Sequence, residues 1–349
     1  MRQKIYKLLF VLMFVSCARV QTLGLEKHKY SERPHHIVWF QIAGFSEQDI
    51  PLLRFNVPDM NYRTAFEKMN CVGKMWNFNL YELRPSSQKS FLSQLNGSKN
   101  VKGQCEDYTV KPVWDYLTEE GYTASIFENG TNDEASLETA SKCPPASTIN
   151  MNKLRLYRMG PDAASAEVGG RRSFHYQDTL EGIEQVMKPG VYYDKSCQKN
   201  ICYSSVSNNF KTLWTQSVKN QFQTFFVVRD FHFLKALNKK DIGNAKEALQ
   251  EVERMLSWIN AQKREDILII VTGAESYNIE FPKEGKEWAE FERSGKNVIY
   301  KNASLMSPVM AKGPMAENFC GLFDESEMLK RVIHRPERKQ FDWDLLNPI

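Results

Sequence analysis

At 349 residues, 42% of them apolar, the chain is long enough for one large folded domain, or for one domain with a cap. Its 46 Lys and Arg against 42 Asp and Glu give a formal +4, which falls to +1 once Arg2, Lys4 and Lys7 leave with a leader. So thin an excess argues against nucleic acid as a partner, because that binding needs a clustered basic field. The charged runs KKDIGNAK and ERKQFDW read as solvated surface.

The leader is the first element. Arg2, Lys4 and Lys7 precede an apolar run at 8–15 and then Ser16 and Cys17, the layout of a secretory signal over residues 1–16. The run is too short to span a bilayer. Phe14, Val15, Ser16 and Cys17 resemble the bacterial lipobox, in which cleavage falls before a Cys that then carries lipid. The alternative is an ordinary signal cut beyond Cys17, giving a soluble secreted chain. Residues 17–34 lack apolar periodicity and end on Pro34, which suits a tether.

Seven cysteines leave an odd one in an exported chain, and lipid on Cys17 would account for it. The other six, Cys71, Cys105, Cys143, Cys197, Cys202 and Cys320, suffice for three disulfides in an oxidising compartment. The short spacing of Cys197 and Cys202 suggests a local staple. Cys105 with Cys143 and Cys71 with Cys320 would then remain, although six cysteines allow 15 connectivities.

The stretch around which the body is organised is HIVWFQIAGFS at 36–46. Apolar residues crowd between Ile37 and Ile42 and a Gly follows, so it predicts a buried central strand running into a tight turn. In open α/β sheets ligands bind beyond the carboxyl ends of such strands, which puts Ile42, Ala43 and Gly44 at the site. A connection with Pro51 and Pro58 follows. The segment 84–97, RPSSQKSFLSQLNG, predicts a short helix closed by Gly97. A helix is expected over 113–120, a Gly stop at Gly121, and a strand over 123–127. Residues 142–209, with three Cys and frequent Gly and Pro, predict an insertion or cap.

QTFFVVRDF at 223–231 predicts a core strand ending in Asp230 and His232. From Asp241, apolar residues at Ile242, Ala245, Leu249, Val252, Met255, Leu256 and Ile259 keep helical spacing. The strand DILIIVTGAES follows, with its core at 267–271, so the three elements predict a parallel crossover. GPMAENFCGLFDESEM from Gly313 reads as a turn leading into a helix. The whole predicts an α/β fold, a three-layer sandwich with a mostly parallel central sheet in a domain at 35–335, and a tail at 336–349.

This order of first strand, Ser-bearing turn, helix closed by Gly, and late Gly-Pro-x-Ala turn resembles the alkaline phosphatase superfamily, which includes alkaline phosphatases, sulfatases and nucleotide phosphodiesterases. The resemblance implies a nucleophile flanked by metal ions, held by Asp and His at the ends of several strands. The family spacing back from Gly97 places the nucleophile at Ser87. Three positions that the resemblance implies as metal ligands hold residues without ligand atoms: Ala43, the pair Gly273 and Ala274, and Asn302, which takes the place of the late His. Asp230, His232 and Glu275 are what remains for a reduced metal site, with zinc or calcium as the metal if the protein is active. The bland reading is that Asp230 caps a turn, His232 packs, and Ser87 caps a helix.

No other chemistry competes. HExxH, CxxC, a P-loop, GxGxxG between strand and helix, and the Gly-x-Ser-x-Gly elbow are all absent. The expectation is therefore an exported, lipid-anchored pseudoenzyme without cofactor, attached to the membrane only by its lipid and binding an envelope ligand or protein. The alternatives are a phosphate- or sulfate-ester hydrolase with a displaced site around Ser87, and a disulfide-stabilised interaction protein on another α/β fold.

Overall fold

The computed structural model describes residues 33–54, 57–59, 61–129, 136–137, 143, 153–159, 183–188, 191–194, 204–219 and 223–333. Cys17, His175, Cys197, Cys202 and His334 lie outside them, as do the leader, the tether and the tail. No helix among the described residues is long and apolar enough to cross a membrane.

Strand β1 (His36–Ala43) is buried at every position. It pairs in parallel with β7 (Thr224–Asp230) on one side and β8 (Ile267–Ala274) on the other. Strand β3 (Thr123–Asn129) extends the sheet beyond β7, followed by β4 (Leu154–Arg158), β6 (Val191–Asp194) and β5 (Ile183–Lys188). The described part of 142–209 thus adds three strands to this edge. Beyond β8 lie β11 (Met306–Lys312), β2 (Cys71–Trp76) and β12 (Gly321–Asp324), completing a ten-stranded sheet. Only β11 against its two neighbours and β5 against β6 are antiparallel.

Alternate residues of β1 feed two separate cores, so the sheet is the middle of three layers. Val38, Phe40 and Ile42 pack with Phe210 and Trp214 of α4 (Val206–Lys219) and with α6 (Ile242–Ala261). Ile37 and Trp39 face Leu92 and Leu95 of α2 (Ser87–Asn96), Trp114 of α3 (Val113–Glu119) and Met328 of α8 (Met328–Ile333). Asp241 caps α6, its carboxylate accepting from Asn244 N at 3.0 Å. Gly97 closes α2 in the left-handed region, at φ 69°.

Several strands depart from the sequence reading. The connection after β1 contains a short helix α1 (Pro51–Arg54) and β2, whose three buried residues alternate with two exposed ones and the half-buried Trp76. Pro308 lies inside β11, which is possible because pairing with β8 begins only at Val309 and spares the proline nitrogen on that side. After Gly313 the chain makes a 3-10 turn and β12 before α8 begins. His36 opens β1, and burial lowers its pKa to about 4.

Two disulfides join elements distant in sequence. Cys71–Cys320 ties the start of β2 to the residue before β12, across 249 positions, and Cys105–Cys143 spans 38. Asn-x-Ser/Thr triplets occur at Asn96, Asn129 and Asn302, and of these Asn96 and Asn129 are buried and unavailable to glycan in the folded chain. Replacing Cys71 and Cys320 by Ala should lower stability by about 2–4 kcal/mol, read as a lower midpoint in urea unfolding.

Candidate functional site

The register of the central strands fixes what lies at their carboxyl ends. Ile42 stands level with Asp230 on one side and Gly273 on the other, and Ala43 stands level with Ala274. Ser87, 188 residues before Glu275, reaches the same place from the opposite direction. It is the first residue of α2, and its amide donates to Glu275 Oε2 at 2.9 Å. Ala43, Ser87, Asp230, Gly273, Ala274 and Glu275 therefore gather at one end of the sheet. Asn302 does not join them by pairing: it lies in β10 (Ile299–Ala303), which forms a separate two-stranded sheet with β9 (Tyr277–Glu280).

What fills this end is apolar. Ala43 and Ala274 pack with Phe91 of α2, with Phe231, and with Leu234 of α5 (His232–Asn238), and all five are buried. Helix α5 is drawn tight over the turn after β1. Gly44 has φ +82°, and a Cβ there would sit 3.1 Å from Leu234 Cα. Gly273 is closed still further, since its Cβ would lie 2.5 Å from the Phe45 carbonyl and 2.9 Å from Pro308 Cδ. A carboxylate side chain at 273 has no room.

The remaining polar groups are engaged locally. Asp230 Oδ1 accepts from the amides of His232 at 3.0 Å and Phe233 at 3.3 Å, and Oδ2 accepts from Asn129 Nδ2. Asn129 Nδ2 also lies 3.1 Å from His232 Nδ1. Asp230 thus holds the entry into α5. Burial pushes its pKa up to about 6, against the opposing pull of these donors. Glu275 carries a left-handed backbone, φ 51°, which aims its carboxylate at the start of α2, where the N-cap Ser86 makes no side-chain bond. Burial raises the Glu275 pKa as well, opposed by its bonds from the Ser87 amide and hydroxyl.

Zinc or calcium would need at least three such donors facing one point. Among the described residues no group of three His, Cys, Asp or Glu is placed to hold a metal ion. Asp230 is instead bonded by the amides at the start of α5 and by Asn129, and Glu275 by the amide at the start of α2.

A polar line at the same sheet level was missed in sequence. Thr272, Gln41, Arg229, Glu128 and Arg158 stand in register on five neighbouring strands, all buried. Arg229 Nη1 bonds Glu128 Oε1 at 2.6 Å, with Arg158 Nε at 3.6 Å from the other oxygen. Gln94 of α2 accepts from Thr272 at 2.9 Å and from Gln41 at 3.2 Å, and donates to the Gly273 carbonyl at 3.1 Å. Helix α2 is thereby pinned in its last turn by Gln94 and at its start by Glu275. The legible signal was a lone polar residue inside each apolar strand, Gln41 in HIVWFQIA and Thr272 in ILIIVTGA.

No family model and no curated protein matches the chain. Solved structures do. The alkaline phosphatase of Thermus thermophilus superposes with a TM-score of 0.64 at 12% identity, covering 90% of this chain and 94% of that one. The alkaline phosphatase of the Antarctic bacterium TAB5 gives 0.60 at 12%, over 86% and 97%, and the cold-active enzyme of Shewanella sp. gives 0.61 at 12%, over 85% and 98%. A TAB5 variant at 11% identity and TM-score 0.58, over 86% of this chain and 97% of that one, holds bound Mg. The chain therefore has the alkaline phosphatase fold, and the alternative of another α/β fold falls.

Two measurements check this geometry. Gly273→Asp should cost about 3 kcal/mol or more, seen as a large fall in melting temperature, since a buried charge and an overfilled contact act together. Asp230 has a folded pKa above its reference of 3.8, so its contribution is fully present below that value and lost as pH rises through about 6. Asp230→Asn should flatten the fall in urea-unfolding stability between about pH 4 and pH 6.

Proposed function

We propose that this chain is a pseudoenzyme on the alkaline phosphatase fold, exported and held at the cell envelope by lipid on Cys17, where it acts by binding. The observation that carries the reading is the buried apolar cluster of Ala43, Phe91, Phe231, Leu234 and Ala274 at the carboxyl ends of the central strands. The resemblance to the superfamily implies a metal cage at these positions. Here side chains without ligand atoms close it, and the Phe45 carbonyl and Pro308 occupy the space beside Gly273. The basic residues, apolar run and FVSC of the leader support export and anchoring.

The second reading, a phosphate- or sulfate-ester hydrolase, draws on one observation. Ser87 survives at a helix start, with the Glu275 carboxyl against it. A Ser hydroxyl needs a base or a metal to become a nucleophile, and among the described residues the Glu275 carboxyl is the acid bonded to it. A carboxyl so placed also suffices as a helix cap.

Elemental analysis of the purified protein, together with turnover of an aryl phosphate and an aryl sulfate, separates the two. The expected result is substoichiometric metal and no turnover above buffer, unchanged in Ser87→Ala. Stoichiometric zinc or calcium with turnover abolished by Ser87→Ala would overturn the pseudoenzyme reading.

A further inference from the structure

Between the end of β2 and the start of α2, the chain presents apolar side chains to solvent. Leu80 is 67% exposed, Tyr81 53% and Leu83 73%. Single exposed apolar residues are ordinary, but three within four consecutive positions form a patch.

The backbone beneath them is fixed. Asn79 Oδ1 accepts from the amides of Tyr81 at 2.8 Å and Glu82 at 2.7 Å, and its Nδ2 donates to the Val101 carbonyl at 3.1 Å. The Asn79 amide donates to the Glu82 carbonyl at 3.0 Å and the Leu80 amide to the Lys99 carbonyl at 3.1 Å. The Tyr81 hydroxyl reaches Asn100 Oδ1 at 2.6 Å. The three side chains therefore stay in water because the turn is built to hold them there, and they do not fold back onto the core.

Their surroundings are cationic. The one acid in the turn, Glu82, is paired with Lys89, and Lys99 is paired with Asp324 at 2.8 Å. Arg84 and Lys102 are exposed, and neither is in an ion pair among the described residues. Lys102 Nζ lies 5.3 Å from the centre of the Tyr81 ring, so positive charge sits directly beside the apolar tips.

We propose that residues 79–84 seat the molecule on an anionic lipid surface, with Leu80, Tyr81 and Leu83 entering the headgroup boundary and Arg84 and Lys102 facing lipid phosphates. Amphipathic aromatic residues and unpaired cations favour that boundary, and each cation near an anionic surface strengthens attachment. A protein partner is the weaker match, since three side chains offer on the order of a few hundred Å², below the ~800 Å² per side of a stable interface. The inference rests on this turn alone and is independent of the reading of the strand ends.

The test is carbene footprinting of the full chain with vesicles of phosphatidylcholine and phosphatidylglycerol, compared with phosphatidylcholine alone. Footprinting reads the turn itself, whatever else in the chain attaches to the vesicle. Labelling of 79–84 should fall at least threefold on the anionic vesicles and recover in about 1 M salt, where screening shortens to about 3 Å. Leu80→Ser with Leu83→Ser, and separately Arg84→Gln with Lys102→Gln, should each weaken vesicle partitioning about tenfold at unchanged melting temperature. Unchanged labelling in vesicle-bound protein would overturn the proposal. So would protection that rises with protein concentration in the absence of lipid, which would assign the turn to a second copy of the chain.

Discussion

Strand β1 is hydrogen-bonded along both edges, to β7 and to β8, and covered on both faces by separate apolar cores. Nothing in it meets water, so every backbone polar group must find its partner in those two neighbours. This single constraint sets the register of three strands and hence which residues stand level at their carboxyl ends. The helices follow, since α2, α3 and α8 can only cover one face while α4 and α6 cover the other.

The same constraint decides what the strand ends can contain. Where three parallel strands finish together and are capped by a short helix, space is shared among a few side chains. Ala43, Gly44, Gly273 and Ala274 are all small, and smallness lets α5 and the Phe45 carbonyl approach closely. Such strand ends do not stay empty slots, because protein interiors close to crystal-like density. Here the closure involves Phe91, Phe231 and Leu234 together, so the side chain at each position constrains the others.

Polar groups survive at this level only where they complete one another. The line from Thr272 to Arg158 runs across five strands, and its Glu128 accepts from Arg229, Ser136 Oγ and the Leu137 amide. A buried charge left unpaired would be costly, and these bonds offset that cost. The line also gives Gln94 its two donors, and so gives α2 a fixed distance from the sheet. Ser87 is where it is because Gln94, two turns along, is held.

Much of the scaffold was legible in the chain itself. Strands β1, β7 and β8 are continuous apolar runs, α6 keeps helical spacing over twenty residues, and α2 ends on a glycine; each signal is local and strong. Residues without ligand atoms at 43, 273 and 274 could likewise be read directly. Strands β2, β11 and β12 could not, because they are short, alternate or carry a proline, and they become strands only through partners far along the chain. Sequence named Asp230, whose reading as a turn cap matches its bonds at the start of α5, and named Glu275 without its role at the start of α2, a contact that no spacing reveals. The sequence by itself determined the layers of the fold and the small residues, Ala43, Gly273 and Ala274, at its strand ends. Only the tertiary structure decided what fills them, because filling depends on the distance between residues such as Phe91 and Phe231, or Phe45 and Gly273, that meet only when the sheet closes.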